Sequence, residues 1–264
     1  MTDRLSNSPG DAQWLPSRRQ WIWLITIALL PPAVVMALVP PLAQDLAYHD
    51  FADQRSWLGI PNFANVISSL LFVAIGGYGL WYVAARCSGA ASVESAERYA
   101  PLLVFAALVL TGLGSAWYHL QPDNQRLVWD RLPMTLVFMA LFSMLISERV
   151  GPRLGIRLLL PLCAVGLFSV YWWASKDDLR AYAIVQFYPM PIMVFMLWRL
   201  TPRYTHGNRY WGVLAWYAAA KVCEVADARL LDVLQWVSGH SLKHVLASLS
   251  ACWLLRMLQV RRAC

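Results

Sequence analysis

The chain has 264 residues, of which 59% are hydrophobic and 14% charged, against about half and a quarter in an ordinary soluble domain. The apolar surplus falls in runs of roughly 18–23 residues, the length a helix needs to cross about 30 Å of hydrocarbon, and no strand-like alternation appears, so a soluble domain and a membrane β-barrel are both set aside. The formal net charge is +7, but the arginines sit in short loops between apolar runs, where they act as topology signals and not as a nucleic-acid surface.

In chain order, residues 1–20 are expected to form a cytoplasmic segment carrying Arg4, Arg18 and Arg19, and 21–43 to form a transmembrane helix. Pro-Leu-Ala at 41–43 resembles a weak cleavage site, yet the apolar stretch is long for a signal peptide and a retained helix is favoured. An outer acidic loop, 44–61, follows with Asp45, Asp50 and Asp53. Seven further spans are expected near 62–85, 101–119, 132–148, 156–174, 182–199, 210–226 and 240–259, each bounded by charge or by Pro and Gly. The fold class is therefore all-α, a polytopic membrane helix bundle.

Loops bearing Arg86 and Arg98, then Arg149, Arg153 and Arg157, then Arg199, Arg203 and Arg209 alternate with loops that hold most of the acids. The positive-inside bias places both termini in the cytoplasm and the acidic loops outside. No organellar targeting signal stands out, so a bacterial inner membrane is expected. The five cysteines (Cys87, Cys163, Cys223, Cys252, Cys264) are scattered without a CxxC pair and read as apolar packing residues. Lys221, Glu224 and Asp227, spaced by three, are expected to form a structural ion network near the outer surface.

Ionisable groups inside spans are costly and mark candidate functional positions. Ser115 and His119 share a helix face at the end of the 101–119 span; Asp130 lies at the mouth of the 132–148 span; His240 and His244, four apart, open the last span. Two histidines at i and i+4 chelate metal in zinc hydrolases. The topology read from the arginines puts all five groups at the outer side. Three histidines leave a fourth position open on a tetrahedral zinc, as a catalytic site requires. His49 and His206 fall in loops and receive no role.

At these residues the sequence resembles the alkaline ceramidase family, within a wider group of seven-helix membrane hydrolases that includes adiponectin receptors. The resemblance rests on Ser115-x-x-x-His119, Asp130 and His240-x-x-x-His244 in that order, on Gly59-Ile-Pro-Asn-Phe-Ala-Asn-Val66, and on Asp178-Leu-Arg-x-Tyr182 with Gln186. It covers roughly residues 50–260. It implies a seven-helix catalytic domain, 62–260, with the 21–43 helix as an extra element ahead of it. It also implies a calcium site in the acidic stretch, where Asp50 and Asp53 match acidic ligands; Arg55 and Asn62 depart from the pattern, so calcium is expected to be absent or weak, with the Arg55 charge in its place.

Resemblance and residue chemistry converge on hydrolysis of a lipid amide, an N-acylated sphingoid base or a relative. His119, His240 and His244 are expected to hold Zn²⁺, Asp130 to accept a water proton and pass it to the leaving amine, and Ser115 to donate to the developing oxyanion. The partners are then the lipid substrate and the bilayer, with no nucleic acid. Two other classes remain: a receptor or transporter with a structural zinc, and a bis-histidine haem protein.

Overall fold

A computed structural model describes residues 18–86 and 97–262. Arg4 and the remainder of 1–17, the loop at 87–95, Cys87 and Cys264 lie outside the described residues. The chain divides into two compact units after Pro40. The first contains α1, Arg18–Leu38, with Pro31 and Pro32 inside it. This helix stops short of the expected 43 because Pro40 and Pro41 cannot donate to a continuing ladder and bias the residue before them away from helix.

The second unit begins with the outer loop, which makes one 3₁₀ turn at Leu46–His49. It continues with α2 (Phe63–Arg86), α3 (Tyr99–Leu120), α4 (Asn124–Arg149), α5 (Pro152–Lys176), α6 (Arg180–Phe187), α7 (Pro189–Arg199), α8 (Tyr210–Val225), α9 (Asp227–Leu234) and α10 (Gly239–Val260). Among the described residues, five stretches are long and apolar enough to cross a membrane: α2 as far as Ala85, α3, α4, α5, and α6 with α7. The protein is an all-α integral membrane bundle, as composition predicts. The expected 182–199 span is divided at Pro189, which has no N–H to give. The expected 132–148 span starts eight residues early, at Asn124, because the Asp123 carboxylate caps the helix by accepting from Arg126 N at 2.7 Å. The polar turns that follow, Asn124 to Arg131, were hidden from a hydropathy reading.

Within this unit α2 packs on α3, α3 on α4, α4 on α5, and α10 on both α8 and α2. Val104, Phe105, Leu145 and Met257 fill the main core. Because lipid tails are as apolar as these side chains, close packing holds them together more than any hydrophobic drive does. A second, smaller core of Phe51, Tyr118, Leu127, Val170, Trp173 and Tyr182 joins the outer loop to the bundle. That loop is stitched to the α5–α6 turn: Gln44 N donates to Asp177 Oδ1 at 3.0 Å, and Leu179 N to Leu42 O at 2.8 Å. Asp178 anchors the turn, accepting from Arg180 Nη2 at 2.7 Å and Trp172 Nε1 at 3.0 Å. The Arg180 guanidinium holds this carboxyl far below the usual carboxylate range.

Candidate active site

The last turn of α3 carries the first polar motif. The helix ends at Leu120, where Gln121 turns extended, and its final carbonyls lose their intrahelical donors. Asn62 supplies one, its Nδ2 donating to His119 O at 2.9 Å. One turn earlier, Ser115 is buried and its Oγ accepts from Ser69 Oγ at 3.0 Å. Gly114 decides what lies beside it. A Cβ there would come within 2.1 Å of the Trp129 carbonyl oxygen and 3.2 Å of Asp130 N, so only glycine lets α3 and α4 touch at this level. The close approach sets Asp130 beside Ser115, and both line one cavity. Asp130 stands two turns inside α4, deeper than the helix mouth expected for it.

The N-terminus of α10 supplies the other two imidazoles. Ser238 caps it by accepting from Ser241 N at 3.1 Å, and Asp227 Oδ1 accepts from His240 N at 2.7 Å. Gly239 permits this: a Cβ there would meet Cys223 O at 2.1 Å. His240 and His244 then face His119, with ring centroids 4.9 Å (119–240), 5.1 Å (119–244) and 5.0 Å (240–244) apart. One ring nitrogen of each lies within 4.8 Å of those of the other two, and all three side chains are buried.

These rings suit a cation. Both nitrogens of His119 are buried without a hydrogen-bond partner among the described residues, a state buried polar groups ordinarily avoid; a cation shared by the three rings would satisfy one of them. His244 Nδ1 lies 2.8 Å from Ser68 Oγ, whose own proton goes to Asn65 O at 3.2 Å. With that proton on Asn65 O, the ring donates from Nδ1 and keeps the Nε2 lone pair, the tautomer that a supporting partner imposes on a metal ligand. Lys243 Nζ stands 3.0 Å from His240 Nε2 and 3.0 Å from Glu224 Oε1. The carboxylate leaves that ammonium an acceptor if the ring nitrogen turns to a cation. A three-imidazole set of this kind is typical of zinc.

The outer loop covers the rings, a contribution that sequence reasoning missed. Phe51 is buried with its ring 4.7 Å from that of His119 and 4.4 Å from that of His240. His49, given no role above, binds Tyr118 Oη at 2.8 Å through Nδ1 and Asn124 Oδ1 at 3.0 Å through Nε2. Asp227 Oδ2 accepts from Ala52 N at 3.0 Å, so one carboxylate ties the loop to the start of α10. Asn65, fully buried, accepts from Ser241 Oγ at 2.7 Å. The only legible signal for this network was the density of small polar residues in Asn62-Phe-Ala-Asn65. The expected cation site in the loop looks different from its acidic sequence. Both carboxylate oxygens of buried Asp53 are taken by Arg55, Nε to Oδ1 at 2.8 Å and Nη2 to Oδ2 at 2.7 Å, and this pairing holds the Asp53 carboxyl below its ordinary range.

A cavity of about 390 Å³ opens beside these groups. Ser115, Asp130, Arg131, Lys221, Glu224 and His244 line its polar end, and Leu108, Phe138, Leu141, Met193 and Leu254 its apolar length. The charged set on α8 is only partly the network expected. Lys221 pairs with Glu224, which also accepts from Lys243; Asp227 stands apart because α8 ends at Val225 and Asp227 opens α9.

This geometry agrees with what the chain is similar to. A family model described as Ceramidase matches residues 58–264. The chain belongs to the ceramidase family. Among curated proteins, it is 31% identical over 99 residues to one of Dictyostelium discoideum named "Putative alkaline ceramidase dcd3A". That stretch is 35% of this chain and spans only 34% of the relative's length. The ceramidase match takes in all five expected site residues, His119, His240, His244, Ser115 and Asp130, and the whole of α2 to α10.

Proposed function

We propose that the protein is a zinc-dependent membrane amidohydrolase that cleaves the amide bond of ceramide or a related N-acyl lipid, releasing a fatty acid and a sphingoid base or amine. One observation carries the reading: three buried imidazoles converge, and one of them, His244, lines with Ser115 and Asp130 a cavity that is otherwise mostly apolar. A lipid amide has the same division, with one hydrolysable polar group and long hydrocarbon. In this reading residues 62–260 form the catalytic domain, α1 is an extra transmembrane helix, and the site lies toward the outer side of the membrane.

His119, His240 and His244 would hold the zinc, which lowers the pKa of bound water to about 7 and so makes hydroxide available at neutral pH. Asp130 would take the water proton and return it to the departing amine nitrogen. Ser115 donates to the carbonyl oxygen as negative charge builds there. In this reading Ser115 is not the nucleophile: the imidazole one turn away is a metal ligand, and the carboxylate beside the hydroxyl, Asp130, serves the attacking water. Arg55 supplies in the outer loop the charge that a calcium ion would bring, so calcium is not required.

Metal content and ceramide hydrolysis, measured together on detergent-purified protein, test this. His240→Ala should lose zinc and turnover alike. Asp130→Asn should keep the zinc and lose about 10²–10⁴ in rate. Added calcium at micromolar levels should leave the rate alone. Full activity in Asp130→Asn would remove the proton shuttle, and zinc bound without any amide hydrolysis would leave the receptor-like reading with a structural metal.

A further inference from the structure

The polar end of the cavity contains a cation that the proposed reaction does not use. Arg131 follows Asp130 on α4, so its side chain leaves the helix about 100° away from the carboxylate. It is 6% exposed and lines the cavity. Its guanidinium lies over three rings, 4.3 Å from the centroid of Trp173, 4.8 Å from Tyr182 and 5.3 Å from Tyr48. Ring faces attract the charge and fix the plane of the fork, and the Tyr48 hydroxyl accepts from the guanidinium. Nη1 is buried with no hydrogen-bond partner among the described residues.

The neighbours leave the positive charge unbalanced. Lys221 and Lys243 share the single carboxylate of Glu224. Three cations, Arg131, Lys221 and Lys243, therefore line one cavity with two carboxylates, Asp130 and Glu224. A buried guanidinium with an open donor, held flat by aromatic rings, suits a planar or tetrahedral anion. Tyr48, in the outer loop, ties the same corner to Glu224 by donating to Oε1 at 3.3 Å, so the guanidinium lies against the outer loop.

We propose that this corner is a head-group site, and that the preferred substrates are N-acyl lipids whose amine half carries an acidic group, a carboxylate, sulfonate or phosphate, bound by Arg131. The inference rests on the amidohydrolase reading of the site but concerns the part of the substrate on the far side of the scissile bond from the acyl chain. Arg131 is a specificity-determining residue here; the proton steps belong to Asp130.

The test pairs lipids that differ only in the head: N-oleoylglycine against N-oleoylethanolamine, with free oleate as a third ligand. Binding is followed by tryptophan fluorescence of the full-length protein carrying Asp130→Asn, and hydrolysis is followed on the unmodified chain. The acidic amide should bind at least tenfold more tightly than the neutral one and should show the larger kcat/KM. Arg131→Gln should bring the binding ratio to about one, and Arg131→Lys should restore part of it.

Equal binding of the two amides by the Asp130→Asn protein, or a preference that survives Arg131→Gln, overturns the proposal. Oleate binding that falls in Arg131→Gln while the two amides stay equal also overturns it, because the site would then hold the carboxylate of the released fatty acid. Acid-selective binding without hydrolysis of any amide would sink the amidohydrolase reading and leave the head-group site standing. Hydrolysis of neutral ceramide with no acid preference would do the reverse.

Discussion

Arg55 and Asp53 show how one residue can change the meaning of its neighbours. The acidic stretch from Asp50 to Asp53 suggests a cation site, but a bidentate guanidinium fills the carboxylate that would anchor it. Asp53 and Asp178 are both held below their ordinary range by an adjacent arginine. Their stabilising pairs are therefore complete above the unfolded carboxylate value of about 3.9 and are lost as pH falls through the depressed folded values. Thermal unfolding of the detergent-purified protein should show a melting temperature that drops progressively below about pH 4, with a shallower drop in Asp178→Asn and Asp53→Asn. Equal slopes in all three proteins would detach the outer-loop pairs from acid stability. At this scale the site histidines were legible because imidazoles are rare in apolar spans and their spacing matched helix periodicity. Phe51 and His49 were not, because nothing local in an exposed-looking loop reveals that it folds down onto a buried ring.

Among the elements, α3, α4 and α10 matter most; Gly114 sets how α3 meets α4, and Gly239 how α10 meets the α8–α9 junction. Gly114→Ala should push α3 from α4 at Trp129 and Asp130, where the added methyl has less than a van der Waals diameter of room. Overpacking of this kind typically costs about 1–3 kcal/mol. The expected outcome is a lower melting temperature with hydrolysis reduced more than tenfold, since the displaced pair is Ser115 and Asp130. Wild-type turnover in the Gly114→Ala protein would show that the spacing of these two side chains is not critical. Helix boundaries were mostly visible in the sequence: α2, α5, α8 and α10 begin and end within four residues of the spans read from hydropathy. The early start of α4 was not, because a capped amphipathic extension carries no apolar signal. The break between α8 and α9, which separates Asp227 from Glu224, was hidden too; a spacing of three assumes a helix that in fact stops.

For the molecule as a whole, the arginine distribution predicts an orientation with both termini inside. Single cysteines placed in an otherwise cysteine-free chain provide the check. A membrane-impermeant maleimide should label Trp236→Cys in intact cells and Arg209→Cys only after permeabilisation. The opposite pattern would invert the topology and with it the side from which substrate arrives.

The Asp227 carboxylate, which grips the backbone at both Ala52 and His240, links parts of the chain that leave the ribosome far apart in time. A nascent chain in the bilayer carries only His119 of the clustered three until the final helix inserts and brings His240 and His244. The meeting of the three rings beneath Phe51 is thereby deferred to the end of synthesis, and a chain cut short before α10 keeps the Asp227 grip on Ala52 but lacks two of the imidazoles that the loop covers.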